Sequence, residues 1–132
     1  EKLRDFAVPM GKAFQLQDDI IGLFGDEERT GKPIGSDLRE GKKTFLISRA
    51  LENANEEDRQ FLYSVLGNNE LTQQDILRAR RIVEESGSLE YSKEKAEELL
   101  QQALDKLEQI HITEEAREFF KGIAGYMRRR EY

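Results

Sequence analysis

The chain has 132 residues, the length of about one domain, with 21 Lys+Arg against 27 Asp+Glu and a net charge of −6. That acidic balance argues against general affinity for nucleic-acid phosphates, since counterion release needs clustered positive charge. Zero Cys and a single His, His111, exclude disulfides, thiolate zinc sites, Cys nucleophiles and paired-His metal motifs. There is no apolar run of about 18 residues, so no transmembrane segment is expected. No signal peptide is expected, and a cytoplasmic protein is. Residue 1 is Glu inside a helical pattern, as expected of the later part of a longer protein.

Helical spacing of apolar residues recurs almost everywhere, and no period-2 alternation persists for a full strand. The first helix is expected from about Lys2 to Phe24, burying Leu3, Phe6, Ala7, Met10, Ala13, Phe14, Ile20, Ile21 and Phe24. Pro9 lies inside it and predicts a kink or a break. A glycine-rich loop, Gly25 to Gly41, follows. Phe45, Leu46, Ile47, Ala50, Leu51 and Ala54 mark the second helix. Asn55 caps a third, which ends at Gly67. Thr72 with Asp75 resembles a capping box, in which the short Asp makes the match partial. That fourth helix stops at Gly87. A longer one is expected from about Leu89 to Ile110, too short in strict a/d heptads for a coiled coil. Thr113 opens the last, with Glu114 and Glu115 at its positive end and Arg128, Arg129 and Arg130 at its negative end. The fold class is all-α, a helical bundle over residues 1–132.

Asp18-Asp19 is the only adjacent Asp pair in the chain. On a helix, Gly11, Gln15, Asp18 and Gly22 share one face, polar at its centre and without side chains at either end. Adjacent carboxylates supply hard oxygen ligands for Mg²⁺, which is held by few protein groups while phosphates and water complete its shell. Lys32, Lys42 and Lys43 lie in or beside the glycine loop, where ammonium groups can neutralise phosphate oxygens. Residue types alone still leave a solvated acidic face as the commoner explanation. The run Gly35 to Thr44 is no P-loop: five residues separate its glycines rather than four, and Lys43 stands where Ser or Thr should be. Nor is Asp18 onward an EF-hand, since alternating oxygen ligands and the closing Glu are missing.

The order of residues is more specific than their types. Phe14-Gln15-Leu16-Gln17-Asp18-Asp19, then Phe24-Gly25-Asp26, then Gly31-Lys32-Pro33-Ile34-Gly35-Ser36-Asp37 and Gly41-Lys42-Lys43-Thr44 resemble the second aspartate-rich region of trans-isoprenyl diphosphate synthases. These are head-to-tail prenyltransferases of the geranylgeranyl and farnesyl diphosphate synthase type. The resemblance implies the C-terminal part of the isoprenoid synthase fold. It also implies that Asp18 and Asp19 are Mg²⁺ ligands, with Asp18 the direct one. By the same resemblance, Gln15 and Lys32 contact an allylic diphosphate and Lys42 lies close to it. Phe14 would then flank the substrate pocket, and Asp37 would support the carboxylate–water shell. The family's DDxxD has Gly22 at its fifth position here, which removes a third carboxylate.

In such enzymes Mg²⁺ eases departure of the allylic diphosphate, the double bond of isopentenyl diphosphate attacks, and a proton is lost. The physics is electrostatic stabilisation of charge developing on the leaving oxygen. No second DDxxD-like cluster occurs in the chain, so it is expected to be a C-terminal fragment, inactive alone. The alternative is a non-catalytic helical subunit or regulatory fragment of a prenyl synthase assembly. Terpene cyclases are disfavoured by the GKPxxSD and GKKT runs. A homodimer or homo-oligomer is expected, because helix faces of a partial bundle leave apolar surface uncovered. The C-terminal arginines could close over a diphosphate or simply complement a helix dipole, and His111 is expected to be structural or exposed.

Overall fold

The computed structural model describes residues 2–26, 28, 31 and 34–129. Among them are seven helices: α1 (Lys2–Phe24), α2 (Ser36–Arg39), α3 (Phe45–Asn53), α4 (Glu56–Val65), α5 (Gln73–Glu85), α6 (Ser88–Leu107) and α7 (Glu114–Arg129). The all-helical class follows from the sequence pattern, and no described helix is long and apolar enough to cross a membrane.

Local chemistry explains several of the N-terminal boundaries. Thr44 caps α3 by accepting a hydrogen bond from the Ile47 amide at 3.2 Å, and Asn55 caps α4 through the Asp58 amide at 2.8 Å. The box at α5 is complete rather than partial. Thr72 Oγ1 accepts from the Asp75 amide at 3.1 Å, and Asp75 Oδ2 accepts from the Thr72 amide at 3.1 Å. The shorter acid therefore still reaches back.

The helix α1 runs unbroken through Pro9, so of the kink or break expected there the break is excluded; the proline, inside the helix, forfeits the bond to the Asp5 carbonyl. The glycine loop is also not irregular throughout, since Ser36–Arg39 form a short helix with Leu38 buried beneath it. Four residues are too few to carry a helical period.

The chain forms two compact units. One runs from Leu16 to Lys93. In it α3, α4 and α5 pack on one another, and Leu46, Leu62, Ile76 and Val83 are at most 1% exposed, with Ile20, Leu23 and Leu38 in the same core. Each such side chain contributes about 1.5–3 kcal/mol of burial. The other unit holds residues 2–15 and 94–129. There Phe6 meets the edge of Phe120 at 5.1 Å between centroids, beside Ala103, Leu107 and Ile110. Ala13, Leu100, Ala124 and Met127 form a second apolar cluster. The expected buried stripe of α1 is only partly correct. Phe6, Ala13, Ile20 and Ile21 are buried, whereas Leu3, Ala7 and Phe14 are exposed, and Leu16 and Leu23 are buried in addition. Apolar residues surround α1, and periodicity alone does not say which side is covered.

Gly35 holds α2 in place. Its φ is +68°, and a Cβ there would stand 2.9 Å from the Ile76 side chain. We expect Gly35→Ala to cost about 2 kcal/mol in denaturant unfolding. Gly87→Ala, at φ +84° with open space around it, should cost only about 1 kcal/mol. Equal losses would exclude the Ile76 contact as a contributor.

Candidate functional site

Asp18 and Asp19 lie in the penultimate turn of α1, Asp19 buried at 5% exposure and Asp18 half-buried. Acidic residues near a helix C-terminus face the negative end of its dipole, and α1 has no basic residue in its last turn. Gly22 follows Asp18 by one turn on the same face. Asp37, carried by α2 and also buried, lays its carboxylate against Gly22, so closely that a Cβ on Gly22 would stand 2.0 Å from Oδ2. Residues one turn apart have Cβ atoms about 5–6 Å apart. The Asp37 carboxylate therefore occupies the space, next along the face from Asp18, that a side chain at position 22 would use.

The loop backbone explains how Asp37 arrives there. The left-handed Gly35 starts α2, the Lys42 amide donates to the Asp37 carbonyl at 2.9 Å, and the Gly67 amide donates to the Leu38 carbonyl at 2.8 Å. Lys42 then stands with Nζ 3.6 Å from Asp37 Oδ1, its side chain half exposed. Lys43 leaves in another direction, with Nζ 5.9 Å from the Tyr63 ring centroid.

The structure therefore gathers Gly22, Asp37 and Lys42 beside the turn that carries Asp18 and Asp19. Phe14 and Gln15 belong to the other compact unit and are exposed. Lys32 lies outside the described residues, as does Arg130. Arg128 is engaged with Glu97 at 2.7 Å and with Gln101 Oε1 at 2.9 Å, and His111 is exposed.

One side chain at the end of α1 had no sequence signal of its own. Arg80, from α5, donates through Nε to the Leu23 carbonyl at 2.6 Å and through Nη2 to the Gly25 carbonyl at 3.3 Å. Partial burial lowers its pKa from the ordinary value, opposed by Asp26 and Glu84. A helix with acids near its C-terminus and no basic last turn calls for a cation, but nothing in the sequence says which one. Thr44 was also readable only as part of a motif, although a Thr before an apolar run is itself a cap signal.

No group of three or more His, Asp or Glu side chains that could hold a metal is gathered among the described residues. The donor set nevertheless suits Mg²⁺, which takes one or two carboxylates and completes its octahedron with water and phosphate oxygens. Asp18 and Asp19 are two carboxylates that could hold it, and the Lys42 ammonium could offset phosphate charge.

Fold and side chains together define an all-helical protein with an acidic helix face beside a lysine-bearing glycine loop. Residues 1–83 match the polyprenyl synthetase family. A geranylgeranyl diphosphate synthase of Saccharolobus solfataricus is 39% identical over 118 residues, which are 89% of this chain and 35% of that protein. The solved structure of geranylgeranyl pyrophosphate synthase from Corynebacterium glutamicum complexed with isoprenyl diphosphate and magnesium is similar, with a TM-score of 0.91 at 31% identity. That match covers 98% of this chain and 37% of that one. Polyprenyl synthase from Caulobacter crescentus CB15, complexed with calcium and isoprenyl diphosphate, gives a TM-score of 0.84 at 31% identity, over 100% of this chain and 40% of that one. The chain belongs to the polyprenyl synthetase family. It spans between a third and two fifths of the length of these relatives.

Gly22 and Gly11 offer a contrast on one helix. Gly→Ala inside a helix ordinarily stabilises by about 1 kcal/mol, and Gly11 has open space around its α-carbon. Gly11→Ala should therefore raise the melting temperature. Gly22→Ala should lower it, because the new methyl displaces the buried Asp37 carboxylate. A rise for both variants would show that Asp37 moves without cost.

Proposed function

We propose that the chain is the C-terminal part of a Mg²⁺-dependent head-to-tail prenyltransferase of the geranylgeranyl diphosphate synthase type. It would join isopentenyl diphosphate to an allylic diphosphate. The observation that carries this reading is the acid pair on α1 with Asp37 and Lys42 beside it, in a chain of this family. The relatives whose structures hold isoprenyl diphosphate with magnesium or calcium support it.

In this reading Asp18 and Asp19 hold Mg²⁺, Asp18 directly, and Asp37 orders the water around them. Gln15, Lys32 and Lys42 bind the diphosphate oxygens of the allylic substrate, and Phe14 flanks its hydrocarbon chain. When bound, Mg²⁺ offsets the charge that grows on the diphosphate as its bond to the allylic carbon breaks. The lysines add to that stabilisation through preplaced charge. A carbon–carbon bond forms to the double bond of isopentenyl diphosphate, and a proton leaves. A cytoplasmic location and assembly into a homodimer or homo-oligomer belong to the same reading. Exposed apolar residues such as Phe119 at 65% and Tyr126 at 62%, seven positions apart on α7, favour association.

The test compares variants of the full-length protein. Asp18→Asn and Asp19→Asn should each weaken binding of Mg²⁺ with inorganic pyrophosphate at least about a hundredfold, and Asp37→Asn about tenfold, in calorimetric titration. Undiminished binding by Asp18→Asn would refute the assignment. The isolated chain, given Mg²⁺, isopentenyl diphosphate and an allylic diphosphate, should form no product, and measurable condensation would contradict its status as a partial enzyme. In sedimentation the isolated chain should self-associate, and a strictly monomeric species would count against the assembly.

A further inference from the structure

The last carbonyls of a helix have no intrahelical partners. At the end of α1 the Gly25 amide takes the Ile21 carbonyl at 2.8 Å, and Arg80 takes those of Leu23 and Gly25. Leu23 lies one turn after Asp19. Gly25 is the first residue of the loop that leads to Lys32, Asp37 and Lys42. Arg80 itself projects from α5, whose Ile76, Ala79, Ile82 and Val83 are all embedded in the core. Its guanidinium also lies 5.9 Å over the Phe24 ring. One fork from a rigid helix therefore fixes both the end of the acidic helix and the departure of the loop.

We propose that Arg80 is the positioning residue of this site, holding the final turn of α1 so that the Asp18–Asp19 pair and the lysine-bearing loop meet a Mg²⁺–diphosphate in one register. The inference rests on the diphosphate reading above. Arg80 does not touch the diphosphate. It acts through the Leu23 and Gly25 carbonyls, and it supplies at the helix end the positive charge that the last turn of α1 lacks. Lysine cannot replace it, because only the planar fork spans two carbonyls.

The fold supplies its own control. Arg59 makes the same kind of fork at the end of α3, donating to the Leu51 carbonyl at 2.9 Å and the Ala54 carbonyl at 3.2 Å. That end lies a full helix length, about 13 Å, from the end beside Lys42. A general stabilising role would make the two arginines equivalent, and a positioning role separates them.

The experiment uses the full-length protein with Arg80→Ala, Arg80→Lys and Arg59→Ala, and it measures melting temperature and the Kd of inorganic pyrophosphate in saturating Mg²⁺. Arg80→Ala and Arg59→Ala should lower the melting temperature by similar amounts. Arg80→Ala should raise Kd about tenfold and Arg80→Lys about threefold, as expected for residues that orient metal ligands, while Arg59→Ala stays within about twofold of wild type. Millimolar guanidinium should restore binding to Arg80→Ala alone. If Arg80→Ala does not fold, Arg80→Lys decides the matter. Wild-type Kd in the Arg80 variants, or an equal loss in Arg59→Ala, overturns the proposal. Failure of the wild-type protein to bind Mg²⁺–pyrophosphate would instead refute the diphosphate reading, and the positioning role would fall with it.

Discussion

Buried carboxylates set the constraint under which the rest of this structure is built. Asp19 and Asp37 are both nearly inaccessible, and a charged group is removed from water only where opposite charge or hydrogen bonds compensate it. Asp19 also faces the unfavourable end of a helix dipole. A chain selected for stability alone gains nothing from this arrangement. Its surroundings follow from it: glycines that let α2 approach, a lysine drawn against Asp37, and an arginine brought in at the helix end.

Helix termini are held by one recurring device. Arg59, Arg80 and Arg117 each send a guanidinium fork onto carbonyls left open at the end of an earlier helix: α3, α1 and α6 respectively. Hydrogen bonds from a charged donor contribute about 1.5–3 kcal/mol each, enough to define where a helix stops. The C-terminal ends of α1, α3 and α6 are thus set by side chains of a later helix. Several N-terminal ends are set locally, by Thr44, Asn55 and Thr72. The difference matters because the candidate site lies at the C-terminal end of α1.

It also explains what could be read from the residues. Local caps and apolar periods located the long helices, and the order FQxxDD, GKPxxSD, GKKT pointed to the family. The four-residue α2 was missed because it is shorter than a helical period. The exposure of Leu3 and Phe14 was missed because α1 is apolar around much of its circumference. The carboxylate of Asp37 beside Gly22 depends on a close backbone approach that no spacing encodes. Arg80 acts across fifty-seven positions of sequence, and only the fold brings it to the end of α1. Asp18, Asp19, Asp37 and Lys42 could be named from the order of the motifs, whereas Arg80 could not.

In the proposed function, the carboxylates of α1 and Lys42 converge on one metal-bound pyrophosphate. Anomalous diffraction from crystals of the full-length protein grown with Mn²⁺ and pyrophosphate tests it directly. A metal peak is expected about 2.1 Å from an Asp18 carboxylate oxygen, with the pyrophosphate between it and the Lys42 ammonium. A metal bound away from α1, or an Asp18 side chain turned from the pyrophosphate, would contradict it.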